Sequence, residues 1–147
     1  MSADAHQIVP GLWMGEKPPE GAGLKQAGFT LLVLTAREYQ PRSSAFGIPV
    51  LHVPLPDGPL KPDQAELAHS AATRVAQEVT KGGKVLVTCW AGANRSGLVT
   101  ALALEQMGVP PQAALAKIRV KRRPNSGHVP LSNPYFVLMI LEAQAAA

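Results

Sequence analysis

The sequence predicts an α/β three-layer sandwich, with a central, mostly parallel sheet of about five strands flanked by helices. Three observations carry that prediction. Residues 30–35 and 85–87 are apolar runs of strand length, with Leu31, Leu32, Val33 and Leu34 in the first and Val85, Leu86 and Val87 in the second. Such unalternating runs mark strands buried on both faces. Segments of helical period stand between the strands, as parallel crossovers require. No repeat, linker or low-complexity stretch divides the chain, so residues 1–147 are expected to form a single domain.

Residues 1–7 are polar and are expected to be loose. Residues 8–15 read as two short strands pinched at Pro10 and Gly11. Residues 18–28 hold a short helix or turn, with Leu24 and Ala27 facing inward. After the 30–35 strand, the polar residues 37–47 form a loop. Glu38 and Tyr39 read there as solvated residues, with rim contacts to a substrate as the alternative. Val50–Leu55 alternates, which puts Leu51, Val53 and Leu55 on one face of a strand. A turn-rich loop follows over residues 56–59.

A helix is expected over Pro62–Thr80. Pro62, Asp63 and Glu66 open it, Lys81 ends it, and Gly82 and Gly83 stop it. Its inward stripe is Ala65, Ala68, Ala72, Val75, Ala76 and Val79. Residues 84–88 form the next strand, and a helix runs from Asn94 or Arg95 to Gln106. Gly108 and Pro110 break the chain before a helix over Pro111–Lys121. Lys121, Arg122 and Arg123 complement that helix's dipole. Attraction of a phosphorylated peptide, a phosphoinositide head group or an RNA 5′ end is the alternative use of these charges. Ser132 or Asn133, with Pro134 next, caps a last helix carrying Phe136 and Ile140.

A chain of 147 residues with 46% hydrophobic and 16% charged residues can bury a core and is not a disordered profile. The formal charge of +4 suits anionic substrates but is too small and scattered to indicate nucleic acid. The single cysteine allows no internal disulfide, and a reactive thiol is best kept in a reducing compartment. No basic-then-apolar leader and no apolar run of membrane-spanning length is visible. A cytoplasmic monomer is therefore expected, with no membrane partner.

The chemistry concentrates after the 84–88 strand. Cys89 stands at the strand's carboxyl end, where open α/β sheets bind ligands. Trp90, Ala91, Gly92, Ala93 and Asn94 separate it from Arg95 and Ser96, and a helix begins at once. Amides of a short loop opening a helix converge on an anion, and the same field favours thiolate over thiol. Arg95 adds a planar fork that fits two oxygens of a tetrahedral oxyanion. Ser96 can hydrogen-bond the Cys89 sulfur. Were the oxyanion held here a phosphate ester, its leaving oxygen would need a proton. Asp57 lies just past the carboxyl end of the Val50–Leu55 strand, hence on the same sheet edge as Cys89. The local alternative is a turn carboxylate bonding nearby amides. Asp63 competes as the acid, but the first turn of a helix already explains it.

Cys89, Gly92, Arg95 and Ser96 match the C-x-x-G-x-x-R-[ST] signature, and the chain thereby resembles the protein tyrosine phosphatase superfamily. Its short length and mid-chain loop resemble most the small, atypical dual-specificity phosphatases. The opening Ile8, Pro10, Leu12, Trp13 and Gly15 is similar to theirs, and Asp57 precedes Cys89 by 32 residues, a spacing similar to that of their general acid. The resemblance spans roughly residues 8–141, though only the loop is specific. It implies a cysteine-phosphatase fold in which Cys89 is the nucleophile and Asp57 the general acid. Arg95 and the amides of residues 90–95 would hold the phosphoryl oxygens, and Ser96 would steady the sulfur, with no metal and no cofactor. The implied substrates are phosphotyrosine proteins, with phosphoserine and phosphothreonine as further candidates. The family usually has histidine immediately before the cysteine, where this chain has Thr88; the threonine hydroxyl is expected to replace that histidine in part.

Other classes remain in view. A catalytically weak phosphate-binding module would need only the loop amides and Arg95, and a phosphatase on phosphoinositides or RNA 5′ ends would use the same loop. Arsenate reduction would call for resolving cysteines that the chain lacks, and a rhodanese would explain neither Asp57 nor the 12–15 segment. Trp90 either lines the pocket mouth or packs on the core, and Asn94 is expected to bond loop carbonyls. His6, His52, His69 and His128 share no motif. Of these His128, in a Gly- and Pro-flanked loop, is the strongest candidate for a role.

Overall fold

A computed structural model describes residues 4–146, with side chains through Glu142. Five strands form one sheet in the order β1-β2-β5-β3-β4: β1 (Ala5–Val9), β2 (Leu12–Gly15), β3 (Leu31–Ala36), β4 (Val50–Leu55) and β5 (Val85–Thr88). Only the β1–β2 hairpin is antiparallel; β2, β5, β3 and β4 run parallel. Five helices connect them: α1 (Gly23–Gln26), α2 (Pro62–Thr80), α3 (Arg95–Gln106), α4 (Pro111–Lys121) and α5 (Pro134–Ala146).

The apolar runs become strands buried on both faces. In β3, Leu31 and Val33 face the larger core with α2, α3, α4 and α5, while Leu32 and Leu34 face a smaller one. That second layer is thin, built from Leu24 of α1, Phe29, Phe46 and Ile48. Strand β4 puts Leu51, Val53 and Leu55 against the larger core, as its alternation requires. Helix α2 has the expected bounds, and its stripe also buries Ala71 and Glu78. The Glu78 carboxylate takes bonds from Arg74 and Thr30, which hold its pKa down at about 2 despite burial.

Two readings are corrected. Ala27 is exposed, because α1 is a single turn and Phe29 fills the inward position instead. Residues 4–7 are not loose. Ala5, His6 and Gln7 pair with β2, and Asp4 accepts a buried fork from Arg122. Residues 1–3 lie outside the described residues.

Candidate active site

Strand β5 delivers Cys89 to the carboxyl edge of the parallel sheet. Its end is pinned by two threonine hydroxyls: Thr88 donates to the Val33 carbonyl at 3.0 Å, and Thr35 donates to the Thr88 carbonyl at 2.7 Å. The Thr88 hydroxyl is thus spent on β3 and does not replace a loop-bracing histidine. Beyond it the chain turns through Gly92 at φ +71° and enters α3 at Arg95. A side chain at Gly92 would collide with the Gly15 backbone at 2.5 Å as well as with Arg122, so glycine is required by both conformation and space. Cys89 is buried, and its sulfur shares a 3.2 Å hydrogen bond with the Ser96 hydroxyl.

The brace for this loop comes from Arg122, the last residue expected to do so from its place in a basic run. Its side chain is fully buried. Nε donates to the Gly92 carbonyl at 2.8 Å and Nη2 to the Ala91 carbonyl at 3.2 Å. Two parallel bonds of 2.7 and 2.9 Å tie it to Asp4, and Nη1 also meets His6 Nδ1 at 2.9 Å. Burial alone would raise the Asp4 pKa, but the bonds from Arg122 and the Asn125 amide hold it below its ordinary value. With its guanidinium spent on the Ala91 and Gly92 carbonyls and on Asp4, Arg122 is not simply the helix-dipole complement expected of it. Lys121 and Arg123 remain exposed.

A second fork lies on Arg95. Glu38 accepts from Nη1 at 2.5 Å and Nη2 at 2.7 Å, and Nη1 also donates to the Leu55 carbonyl at 3.0 Å. The hydrogen bonds from Arg95 hold Glu38 at a pKa of about 2. Glu38 is therefore no merely solvated loop residue: it grips the end of the guanidinium. Among the described residues, Nε and the second Nη2 proton of Arg95 have no protein partner, which leaves the side-on edge of the fork open.

Asp57, Cys89, Trp90, Arg95, Glu38 and His128 line a common open cavity of about 490 Å³. Burial works against the charged form of Arg95, but the hydrogen bonds to Glu38 outweigh it and keep the guanidinium pKa above its ordinary value. Asp63, on α2, does not line this cavity. Asp57 Oδ1 accepts a 3.0 Å bond from Asn133 Nδ2. Asn94 does not bond loop carbonyls through its side chain as expected; its Oδ1 accepts the Asn133 backbone N–H at 3.0 Å. Trp90 is half-exposed at the cavity mouth, with Lys17 Nζ 4.5 Å from its ring centroid. His6 and His52 are engaged with Arg122 and the Pro41 carbonyl, so His128 is the histidine at the cavity. Among the described residues, no group of three His, Cys, Asp or Glu could hold a metal ion.

The sheet order and this edge arrangement define a class, that of the cysteine phosphatases, and the chain belongs to the protein tyrosine phosphatase superfamily. Within it the chain is atypical and dual-specificity-like. Human DUSP28 superposes with a TM-score of 0.79 at 27% identity, covering 99% of this chain and 97% of that one. A mouse putative dual specificity phosphatase, complexed with zinc tungstate, gives 0.78 at 26% identity, over 99% of this chain and 92% of its own. Tk-PTP in its active form gives 0.77 at 25%, with 98% and 99% covered. No family model matches the sequence, and no curated protein sequence does.

Proposed function

We propose that this protein is a cysteine-dependent phosphatase that hydrolyses phosphotyrosine in proteins through a cysteinyl-phosphate intermediate, with phosphoserine and phosphothreonine as further candidate substrates. The observation that carries the reading is the convergence of the Cys89 sulfur, the open edge of Arg95 and the Asp57 carboxyl on one cavity. In the first step the Cys89 thiolate attacks phosphorus in line; an S–P bond forms as the ester P–O bond breaks. The Asp57 carboxyl gives its proton to the departing oxygen. Water then attacks the phosphoryl group and the S–P bond breaks. The thiolate returns, and the water's proton passes to the Asp57 carboxylate. Arg95 and the amides of residues 90–95 stabilise the equatorial oxygens in both steps. The Ser96 hydroxyl donates to the sulfur when it leaves.

The test is hydrolysis of aryl and alkyl phosphates by wild type, Cys89→Ser and Asp57→Asn. Cys89→Ser is expected to be inactive, and Asp57→Asn to lose on the order of a hundred-fold on an alkyl phosphate. Activity retained by Cys89→Ser would overturn the mechanism. A wild-type protein that binds phosphopeptide without turning it over would make the loop a binding module. The Cys89→Ser trap, offered phosphopeptides, phosphoinositides and RNA 5′ ends, is expected to retain the phosphopeptides.

A further inference from the structure

We propose that Asn133 is the positioning residue for Asp57, fixing which carboxyl oxygen carries the proton in the reaction. The proposal rests on the reading of Asp57 as general acid. Asn133 begins α5: its carbonyl accepts the Val137 N–H, its Oδ1 accepts the Tyr135 N–H at 3.0 Å, and Pro134 follows. That capping bond settles the amide's orientation. The Tyr135 N–H can only donate, so Oδ1 must face it, and Nδ2 is left to donate to Asp57 Oδ1. The bond survives a change of protonation at Asp57. With Oδ1 always accepting from Asn133, the transferable proton sits on Oδ2, and the carboxyl keeps one orientation as that proton leaves and returns.

A cap alone does not require the strap that holds Asn133. Leu131 is fully buried at φ +58°, a left-handed conformation costly for a leucine. Three contacts hold it there. Its N–H donates to the Ala93 carbonyl at 3.1 Å, its carbonyl accepts Arg119 Nη2 at 2.9 Å, and its side chain sits so close to Gly97 that an added Cβ there would lie 2.8 Å away. Two residues on, the Asn133 N–H is fastened to Asn94 Oδ1. Residues 131–133 thus register the acid-bearing loop against the Cys89–Arg95 loop, with Asn133 reaching Asp57 across 76 positions of sequence.

The test is Asn133→Ser, which keeps a capping oxygen and the backbone N–H to Asn94 but has no amide to reach Asp57. Its loss of turnover on an alkyl phosphate is expected to exceed its loss on an aryl ester with a good leaving group by about ten-fold. In an Asp57→Asn background the same substitution is expected to add no further selective loss. Asn133→Ala, which also removes the cap, should lower thermal stability yet give the same ratio between the two esters. Equal losses on both esters, or an additional selective loss without Asp57, would overturn the proposal. If Asp57→Asn is selective against the alkyl ester while Asn133→Ser is not, only the positioning role falls. If Asp57→Asn shows no selectivity, the acid assignment falls and this proposal with it.

Discussion

Arg122 and Arg95 each hold a carboxylate by two parallel bonds, and both act on the loop between Cys89 and α3, yet they do different work. Around Arg122 nothing is left over. Asp4 is as buried as the guanidinium, and the five N–H groups of the fork find Asp4, His6, Gly92 and Ala91. Arg95 is nearly as buried, but its partner Glu38 is 48% exposed on the side chain and takes only the end of the fork. Among the described residues, two donors have no partner on the edge that a tetrahedral oxyanion would use. The difference teaches how one residue type can take two parts: a saturated fork is structure, and a partly spent one keeps donors for the oxyanion that Arg95 is proposed to bind.

The largest effect expected from breaking this contrast is on folding. Arg122→Met should destabilise the protein by about 3–5 kcal/mol in denaturant unfolding, because it strands Asp4 in a dry site. Adding Asp4→Leu should recover part of that loss. A single variant as stable as wild type would make the pair purely a shaper of the loop.

Arg95→Lys should do the reverse. Tungstate or vanadate affinity, measured by calorimetry, is expected to fall about 10–100-fold, since an ammonium cannot present the fork. Unfolding free energy should change by less than about 1 kcal/mol, because Glu38 is solvated.

Glu105 sharpens the comparison as a carboxylate without an arginine. Among the described residues one of its oxygens is buried without a partner, and burial pushes its pKa up to about 7 from 4.5. The folded state therefore holds its proton longer than the unfolded chain. Stability falls as pH rises from about 4.5 to 7, and the penalty is complete above 7. Glu105→Gln should raise the thermal midpoint at pH 8 by roughly 2–4 °C and have little effect at pH 4.

The smallest effect belongs to Glu38. Its pKa is depressed from 4.5 to about 2, so its contribution is fully present above 4.5 and is lost as pH falls toward 2. Glu38→Gln should flatten that part of the acid-unfolding curve, by less than about 1 kcal/mol given its exposure.

Much of the molecule was legible from sequence because it is written locally. The bounds of α2 and α4, the doubly buried β3 and the order thiol–loop–guanidinium–hydroxyl all follow from contiguous residues whose period, caps and spacing have one physical solution. The Cys89–Ser96 contact belongs here too, since the turn into α3 brings positions 89 and 96 within 3.2 Å. What only the tertiary structure decided is which distant charges meet. Arg122 and Asp4 stand 118 positions apart, Arg95 and Glu38 57, and Asn133 and Asp57 76. A basic run after a helix and a polar N-terminus carry no local mark that one arginine turns inward to an aspartate. Those choices depend on the desolvation cost of each charge against the bonds it finds once the sheet has formed, and that balance exists only in the folded chain.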